Sequence, residues 1–104
     1  MAAASRIDQL KAMVAETPED AELRYFLAMA HVSAGEHDAA VDCFRHLAEQ
    51  SPGYVPAYVQ RGQLLARLGR EDEARTVFRA GIAAAQKAGD LHAAGEMEAF
   101  LDSL

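Results

Sequence analysis

Residues 34–45 read AGEHDAAVDCFR and residues 68–79 read LGREDEARTVFR, and the two stretches match at an offset of 34 positions. The shared positions hold a glycine, an aspartate, an alanine, a phenylalanine and an arginine. They are Gly35 and Gly69, Asp38 and Asp72, Ala40 and Ala74, Phe44 and Phe78, and Arg45 and Arg79. A fixed period of this size indicates one supersecondary unit stacked on its own copy.

The sequence upstream of the first glycine has the periodicity of a buried helix face. Its apolar residues follow the i, i+3, i+4, i+7 spacing of an amphipathic helix, which predicts that they all face inward. They are Leu23, Phe26, Leu27, Ala30 and Ala34. By the same reasoning we expect Met13 on an earlier helix and Leu68 on a later one to face inward. Glycines and prolines separate these segments, so the sequence predicts an all-α fold.

The repeat resembles the tetratricopeptide repeat family, whose unit of 34 residues forms two helices joined by a turn. The first copy, residues 21–54, has family signature residues at Leu27, Ala28, Ala40, Phe44 and Pro52. The second copy, residues 55–88, has them at Tyr58, Gly62, Leu65, Ala74 and Phe78. Both copies depart from the signature where the family usually has a large aromatic residue, a tyrosine, a leucine and a proline. The departures are Arg24, His31, Arg61 and Gln86.

The resemblance implies antiparallel helix-turn-helix repeats stacked as a short right-handed α-solenoid in a single domain over residues 1–104. We predict an N-terminal half-repeat helix over 4–16, repeats over 21–54 and 55–88, and a capping helix over 90–104. Asp90 can cap the start of that last helix. Its apolar face, which includes Ala93, Met97 and Phe100, suits a helix that covers the preceding repeat.

The first predicted helix of repeat 1 carries a second apolar stripe beside its core face, at Tyr25, Met29 and Val32. In the family, the corresponding positions in the first helix of each unit line a concave groove. The resemblance therefore implies a partner-binding groove lined by Tyr25, Met29, Val32, Ser33, Val59, Gln63, Ala66 and Arg67. The alternative is that Tyr25 and Met29 pack against the N-terminal helix.

The histidines and the single cysteine are the candidates for chemistry. His37, Cys43 and His46 lie within ten residues, but no second Cys or His cluster completes a closed zinc site. Cys43 aligns with Val77 in the second copy, which favours a structural role over a metal ligand or a catalytic thiol. His31 lies on a mostly inward-facing position, so we expect a buried, hydrogen-bonded histidine there. The sequence predicts no catalytic residue, no metal site and no cofactor.

Composition and charge exclude several function classes. The formal net charge of −6 argues against binding to nucleic acid, which rests on clustered Lys and Arg. Residues 55–88 alone carry a net positive charge and could attract an acidic partner or a second copy. No apolar run approaches the roughly 20 residues that span a bilayer, so we expect no membrane insertion. One cysteine and the absence of an apolar leader favour the cytoplasm.

These observations favour a non-catalytic protein–protein interaction module, an adaptor or scaffold that binds a peptide segment in its groove. The area available for binding is modest, so we expect affinities around micromolar. The alternative is a self-associating structural protein, since solenoids generally need three or more repeats and this chain has two. A homodimer that used the same apolar surface and buried Tyr25 and Met29 would supply the missing core.

Overall fold

The computed structural model describes residues 5–104, and this part of the chain is folded into six α-helices without a β-strand. The all-α fold class is therefore confirmed. The helices are α1 Arg6–Glu16, α2 Ala21–Ser33, α3 His37–Gln50, α4 Val55–Arg67, α5 Glu71–Ala88 and α6 Leu91–Asp102. The predicted half-repeat helix began at residue 4, which lies outside the described residues.

Polar side chains define where three of the helices begin. Ser5 Oγ accepts a hydrogen bond from the Asp8 backbone N–H at the start of α1. The Asp20 carboxylate does the same for the Leu23 N–H at the start of α2, at 3.1 Å. The expected cap at Asp90 is present, because its carboxylate accepts from the Ala93 N–H at 3.0 Å. Each cap satisfies one of the backbone donors that a helix leaves unpaired at its N-terminus.

The repeated glycines turn the chain between the two helices of each repeat. Gly35 follows α2 with φ of +75° and Gly69 follows α4 with φ of +77°. Glycine populates this left-handed region readily because it has no Cβ to clash with the backbone. The 34-residue offset seen in the sequence therefore reproduces the same turn twice.

Each helix packs on its neighbours along the chain, which gives an elongated molecule of 49 × 28 × 18 Å. The repeated phenylalanines lie at the centre of each unit, since Phe44 and Phe78 are both fully buried. Small residues allow the helices to approach these rings. An ideal Cβ on Gly62 would lie 2.7 Å from Cδ1 and Cζ of Phe78, and the equivalent Ala28 is completely buried.

The last helix lies against the second repeat. Ala93, Ala94 and Met97 are buried on α6, and they join the core cluster that contains Phe78. Gly81 on α5 lets Met97 approach closely, because a Cβ there would lie 2.5 Å from the methionine sulfur. The apolar face of α6 is thus directed at α5 and α4.

Four side chains do not face inward as their spacing predicted. Phe26 on α2 is 45% exposed and Met13 on α1 is 47% exposed, while Ala34 and Leu68 are also exposed. The expectation for Phe26 is wrong because the described helices pack on other sides of α2, with α1 on the Leu27 side and α3 and the start of α4 on the Ala28 side. The i, i+3 spacing describes a wider face than these neighbours cover. Ala34 and Leu68 are helix-ending residues beside the exposed glycine turns.

Candidate functional site

The α2 half of the predicted groove contributes to internal packing. The Tyr25 ring lies 5.9 Å from the Phe44 ring and 5.8 Å from the Tyr54 ring, between ring centroids. Tyr25, Met29 and Val32 are half-buried against the cluster formed by α2, α3 and α4. The alternative interpretation placed Tyr25 and Met29 against the N-terminal helix. Both side chains do pack internally, but they pack on the cluster formed with α3 and α4. Ser33, at the end of α2, is exposed.

The α4 half of the predicted groove faces open space beside α6. Val59, Gln63 and Ala66 are half-buried and Arg67 is exposed. All four line one or the other of two hollows that lie along the seam between α4 and α6. We call this seam, with both hollows, the α4–α6 trough. Its α4 wall is formed by Val55, Pro56, Val59, Gln60, Gln63, Ala66 and Arg67, and its α6 wall by Asp90, Ala93, Glu96, Phe100, Ser103 and Leu104.

The first hollow, of about 290 Å³, lies at the C-terminal ends of both helices. Its apolar floor includes Phe78 and Phe100, whose rings stack with centroids 5.6 Å apart and planes 22° apart. Gln63 and Arg67 form its polar rim. Arg67 makes no ion pair with any residue that the structure describes. The first hollow thus combines an apolar surface with an available positive charge.

The second hollow, of about 230 Å³, lies at the N-terminal ends of α4 and α6. Val59 and Ala93 contribute apolar surface, and Asp90 and Glu96 contribute carboxylates. The Asp90 carboxylate is occupied as a helix cap, but Glu96 is exposed and has no ion-pair partner within residues 5–104. The two hollows therefore differ in the sign of the charge that each presents.

The sequence interpretation missed the whole α6 wall of this trough. It treated the last helix only as a cap, although the helix occupies the place that α2 and α4 have in the preceding units. The repeat offset contained the signal, because adding 34 to Val59 and Ala66 gives Ala93 and Phe100. Both of these residues do line the trough.

The candidate chemical residues lie in ordinary structural surroundings. Cys43 is half-buried, its thiol lies 3.7 Å from the Arg24 carbonyl oxygen to which it donates, and burial raises the pKa of that thiol. His37 and His46 are both exposed. Within residues 5–104, no three His, Cys, Asp or Glu side chains gather closely enough to hold a metal ion. A thiol whose pKa is raised is a poor nucleophile at neutral pH.

His31 is buried and hydrogen-bonded, as its inward-facing position predicted. Its Nδ1 lies 2.8 Å from the Glu36 carboxylate, which is exposed beside the turn after α2. This contact joins the end of α2 to the start of α3, and so gives the histidine a structural place in the first repeat.

The helical-repeat architecture and sequence comparison give the same class of protein. The sequence profile of the tetratricopeptide repeat family matches residues 32–96, and a second profile of that family matches residues 1–55. A TPR repeat-containing protein of Pseudomonas aeruginosa is 31% identical over 98 residues, which are 94% of this chain and 93% of that protein. The chain belongs to the tetratricopeptide repeat family, and the resemblance seen in the sequence is confirmed.

Solved structures show the same arrangement of helices. A tetratricopeptide repeat domain protein of Salinibacter ruber superposes with a TM-score of 0.78 at 32% identity, over 83% of this chain and 87% of that chain. A protein of Bordetella parapertussis superposes with a TM-score of 0.79 at 29% identity, over 97% of this chain and 88% of that chain. The family fold is one of protein interaction modules. None of the helices described here has the length and apolar character to cross a membrane.

Proposed function

We propose that this protein is a non-catalytic adaptor or scaffold that binds a peptide segment of another protein in a concave groove. The observation that carries the proposal is the α4–α6 trough, where a mainly apolar hollow of about 290 Å³ and a mixed hollow of about 230 Å³ lie beside Arg67 and Glu96, which form no ion pair within residues 5–104. Hollows with an apolar floor and a few polar groups are typical of recognition sites. Of the predicted groove residues, Val59, Gln63, Ala66 and Arg67 belong to this trough. Tyr25, Met29 and Val32 pack on the cluster of α2, α3 and α4, and we propose that only their exposed edges, with Ser33, extend the groove along α2.

Several features support binding over catalysis. The Cys43 thiol has a raised pKa and donates to a backbone carbonyl, so it lacks the activation that nucleophilic catalysis needs. His31 is held by Glu36 inside the first repeat.

We propose the cytoplasm as the place of action, since a reducing compartment suits a chain with one unpaired cysteine.

A site-specific cross-linking experiment tests this function. A photoreactive amino acid is placed at Gln63 in the trough, and in a matched control at Arg79, which is exposed on α5 and lines neither hollow. Both proteins are irradiated in lysate of the source organism, and the cross-linked proteins are identified by mass spectrometry. We expect partners that cross-link from position 63 and not from position 79. Identical sets from both positions, or none from position 63, would contradict groove binding.

Self-association is the second candidate function. Two large apolar side chains, Met13 on α1 and Phe26 on α2, are nearly half exposed, and Phe26 is adjacent in sequence to Tyr25 of the predicted dimer surface. Burying such side chains is a common driving force for association. Light scattering after gel filtration at micromolar concentration distinguishes the two functions. A dimer that dissociates in a Phe26→Ser variant would support self-association, whereas a strict monomer would exclude it.

A further inference from the structure

We infer that the α4–α6 trough selects an extended segment in which an apolar residue stands beside a carboxylate, with a basic residue about four positions away. The inference rests on the proposed function, since it names the partner chemistry of the same site. It follows from what lies at the two ends of the trough. Each end of the trough selects a different part of the bound segment, and the distance between the two ends sets the number of residues between those parts.

The first hollow accounts for the apolar residue. Its floor is the stacked pair Phe78 and Phe100, and Ala66 and Leu104 add further apolar surface around it. A volume of about 290 Å³ accommodates one branched or long apolar side chain together with the backbone that carries it. Burying such a side chain is the main source of affinity that this surface can offer. A polar residue at this position would leave the partly exposed ring of Phe100 in contact with water.

The charges at the two ends of the trough account for the positions of the acidic and basic residues in the segment. Arg67 is exposed at the rim of the first hollow, and Glu96 is exposed at the second. The α4 side chains between them, Gln60 and Gln63, are neutral, and the other acidic side chain of the trough, Asp90, already caps α6. A bound segment thus meets a positive charge at one end and a negative charge at the other. Exposed ion pairs add little affinity each, but they fix orientation and reject the reversed charge pattern.

The helix rise gives the distance between the two hollows, and this distance sets the spacing that we propose between the carboxylate and the basic residue of the segment. Val59 marks the second hollow and Arg67 marks the first, and eight residues separate them on α4. At a rise of about 1.5 Å per residue this is roughly 12 Å. An extended chain advances about 3.3 Å per residue, so roughly four residues bridge the distance.

The test uses the whole chain, labelled with ¹⁵N, and two synthetic peptides followed by amide chemical shifts. The first peptide has Leu beside Glu, with Lys four residues further, and the second has the same residues with Glu and Lys exchanged. Each peptide is also made in the reverse chain direction, because the trough fixes the charge pattern and not the direction. The variants are Arg67→Glu combined with Glu96→Arg, and Arg79→Glu as the control at an exposed arginine outside the trough.

We expect the wild type to bind the first peptide about tenfold more tightly than the second, since two exposed ion pairs become two repulsions. The shifts should centre on the amides of Ala66, Glu96 and Ser103. The variant that combines Arg67→Glu with Glu96→Arg should prefer the second peptide, whereas Arg79→Glu should keep the wild-type preference. The preference should also weaken as salt is raised.

Two different results would overturn the inference. If both peptides bind at the trough equally and the double exchange changes nothing, the charge polarity is wrong while groove binding survives. If neither peptide shifts the trough amides, then the partner chemistry named here is wrong. In that case the cross-linking from Gln63 still decides whether the trough binds another protein at all.

Discussion

Replacing Gly81 by alanine is expected to destabilise the protein, although alanine favours helices more than glycine does. Gly81 lies inside α5, where α4 and α6 both approach the backbone. A Cβ at this position would lie 2.6 Å from Tyr58 Cβ and 2.5 Å from Met97 Sδ. Tyr58 cannot give way easily, because its Cβ is attached to the α4 backbone and its hydroxyl donates to the Pro52 carbonyl at 2.7 Å. Met97 is fully buried, so moving its side chain would disturb the close packing of the core.

The magnitude follows from two opposing terms. Alanine in a helix interior is favoured over glycine by about 1 kcal/mol. Inserting an extra methyl group into a close-packed site costs about 1–3 kcal/mol. With a middle value of about 2 kcal/mol for the insertion, Gly81→Ala should lose about 1 kcal/mol of unfolding free energy. The close approach of three helices thus outweighs the gain in helix propensity.

Gly95→Ala is the matched control, because it makes the same chemical change in a helix without the close approach. Gly95 lies inside α6 and is exposed, and apart from the adjoining α6 backbone no atom of residues 5–104 lies within 4 Å of the place where a Cβ would stand. It should therefore gain the full propensity term of about 1 kcal/mol. The difference between the two variants isolates the cost of insertion and amounts to about 2 kcal/mol.

Thermal unfolding followed by circular dichroism measures this difference. In a domain of this size about 1 kcal/mol shifts Tm by roughly 4–8 °C, so the two variants should melt roughly 8–16 °C apart. Urea titration at 25 °C gives the unfolding free energies directly. Equal stabilisation of both variants would refute the reasoning, because it would show that α4 and α6 do not close on Gly81.

Four further outcomes are expected. Asp90→Ala should lower the unfolding free energy by about 1 kcal/mol in urea titration, since it removes the α6 cap, and an unchanged midpoint would contradict this. Native Cys43 should react with iodoacetamide at pH 8 more slowly than in guanidinium, because burial raises the thiol pKa; equal rates would be the opposite result. Deleting residues 90–104 should expose the apolar surface under Met97 and cause aggregation or a lower Tm, and unchanged melting would show that α6 covers nothing. Carboxyl NMR titration should give Glu73 a lowered pKa that returns to normal in Arg70→Gln, because the Arg70 hydrogen bond lowers it. The stability from that pair is present above the unfolded-state pKa and lost as pH falls through the folded-state pKa.

The fold was predictable because the repeated residues are those that determine the packing. Phe44 and Phe78 are the buried centres of their units, and Gly35 and Gly69 make the same left-handed turn. Such positions tolerate few alternatives, so an exact offset between them carries structural information. Surface positions are under no such constraint. For that reason the same offset gave little guidance about which side chains stay exposed.

The site was harder to predict because groove positions depend on which neighbours a helix meets. Tyr25 stands at the α2 position that corresponds to Val59 on α4, yet its ring is large enough to reach Phe44 and Tyr54 and so joins the core. Phe26 fits the spacing of a buried face and is 45% exposed, because none of the six described helices covers that side of α2. Periodicity gives the angle of a side chain around its own helix. It does not give the neighbour that lies in that direction.

Some residues of the trough stabilise the fold and others only offer charge to a partner. This difference decides which substitutions can test binding. Phe78 and Phe100 serve as floor and as core at once, since Phe78 is fully buried and stacks on Phe100. Truncating either ring would therefore remove packing as well as binding surface, at a cost of about 3–5 kcal/mol for a buried phenylalanine. Arg67 and Glu96 are exposed, and neither has an ion-pair partner in the described chain, so changing their charge leaves the core intact. If a substitution at Arg67 or Glu96 abolishes binding and leaves Tm unchanged, the loss is evidence about recognition. A loss of binding after truncation of Phe78 or Phe100 is not, because the fold is weakened as well.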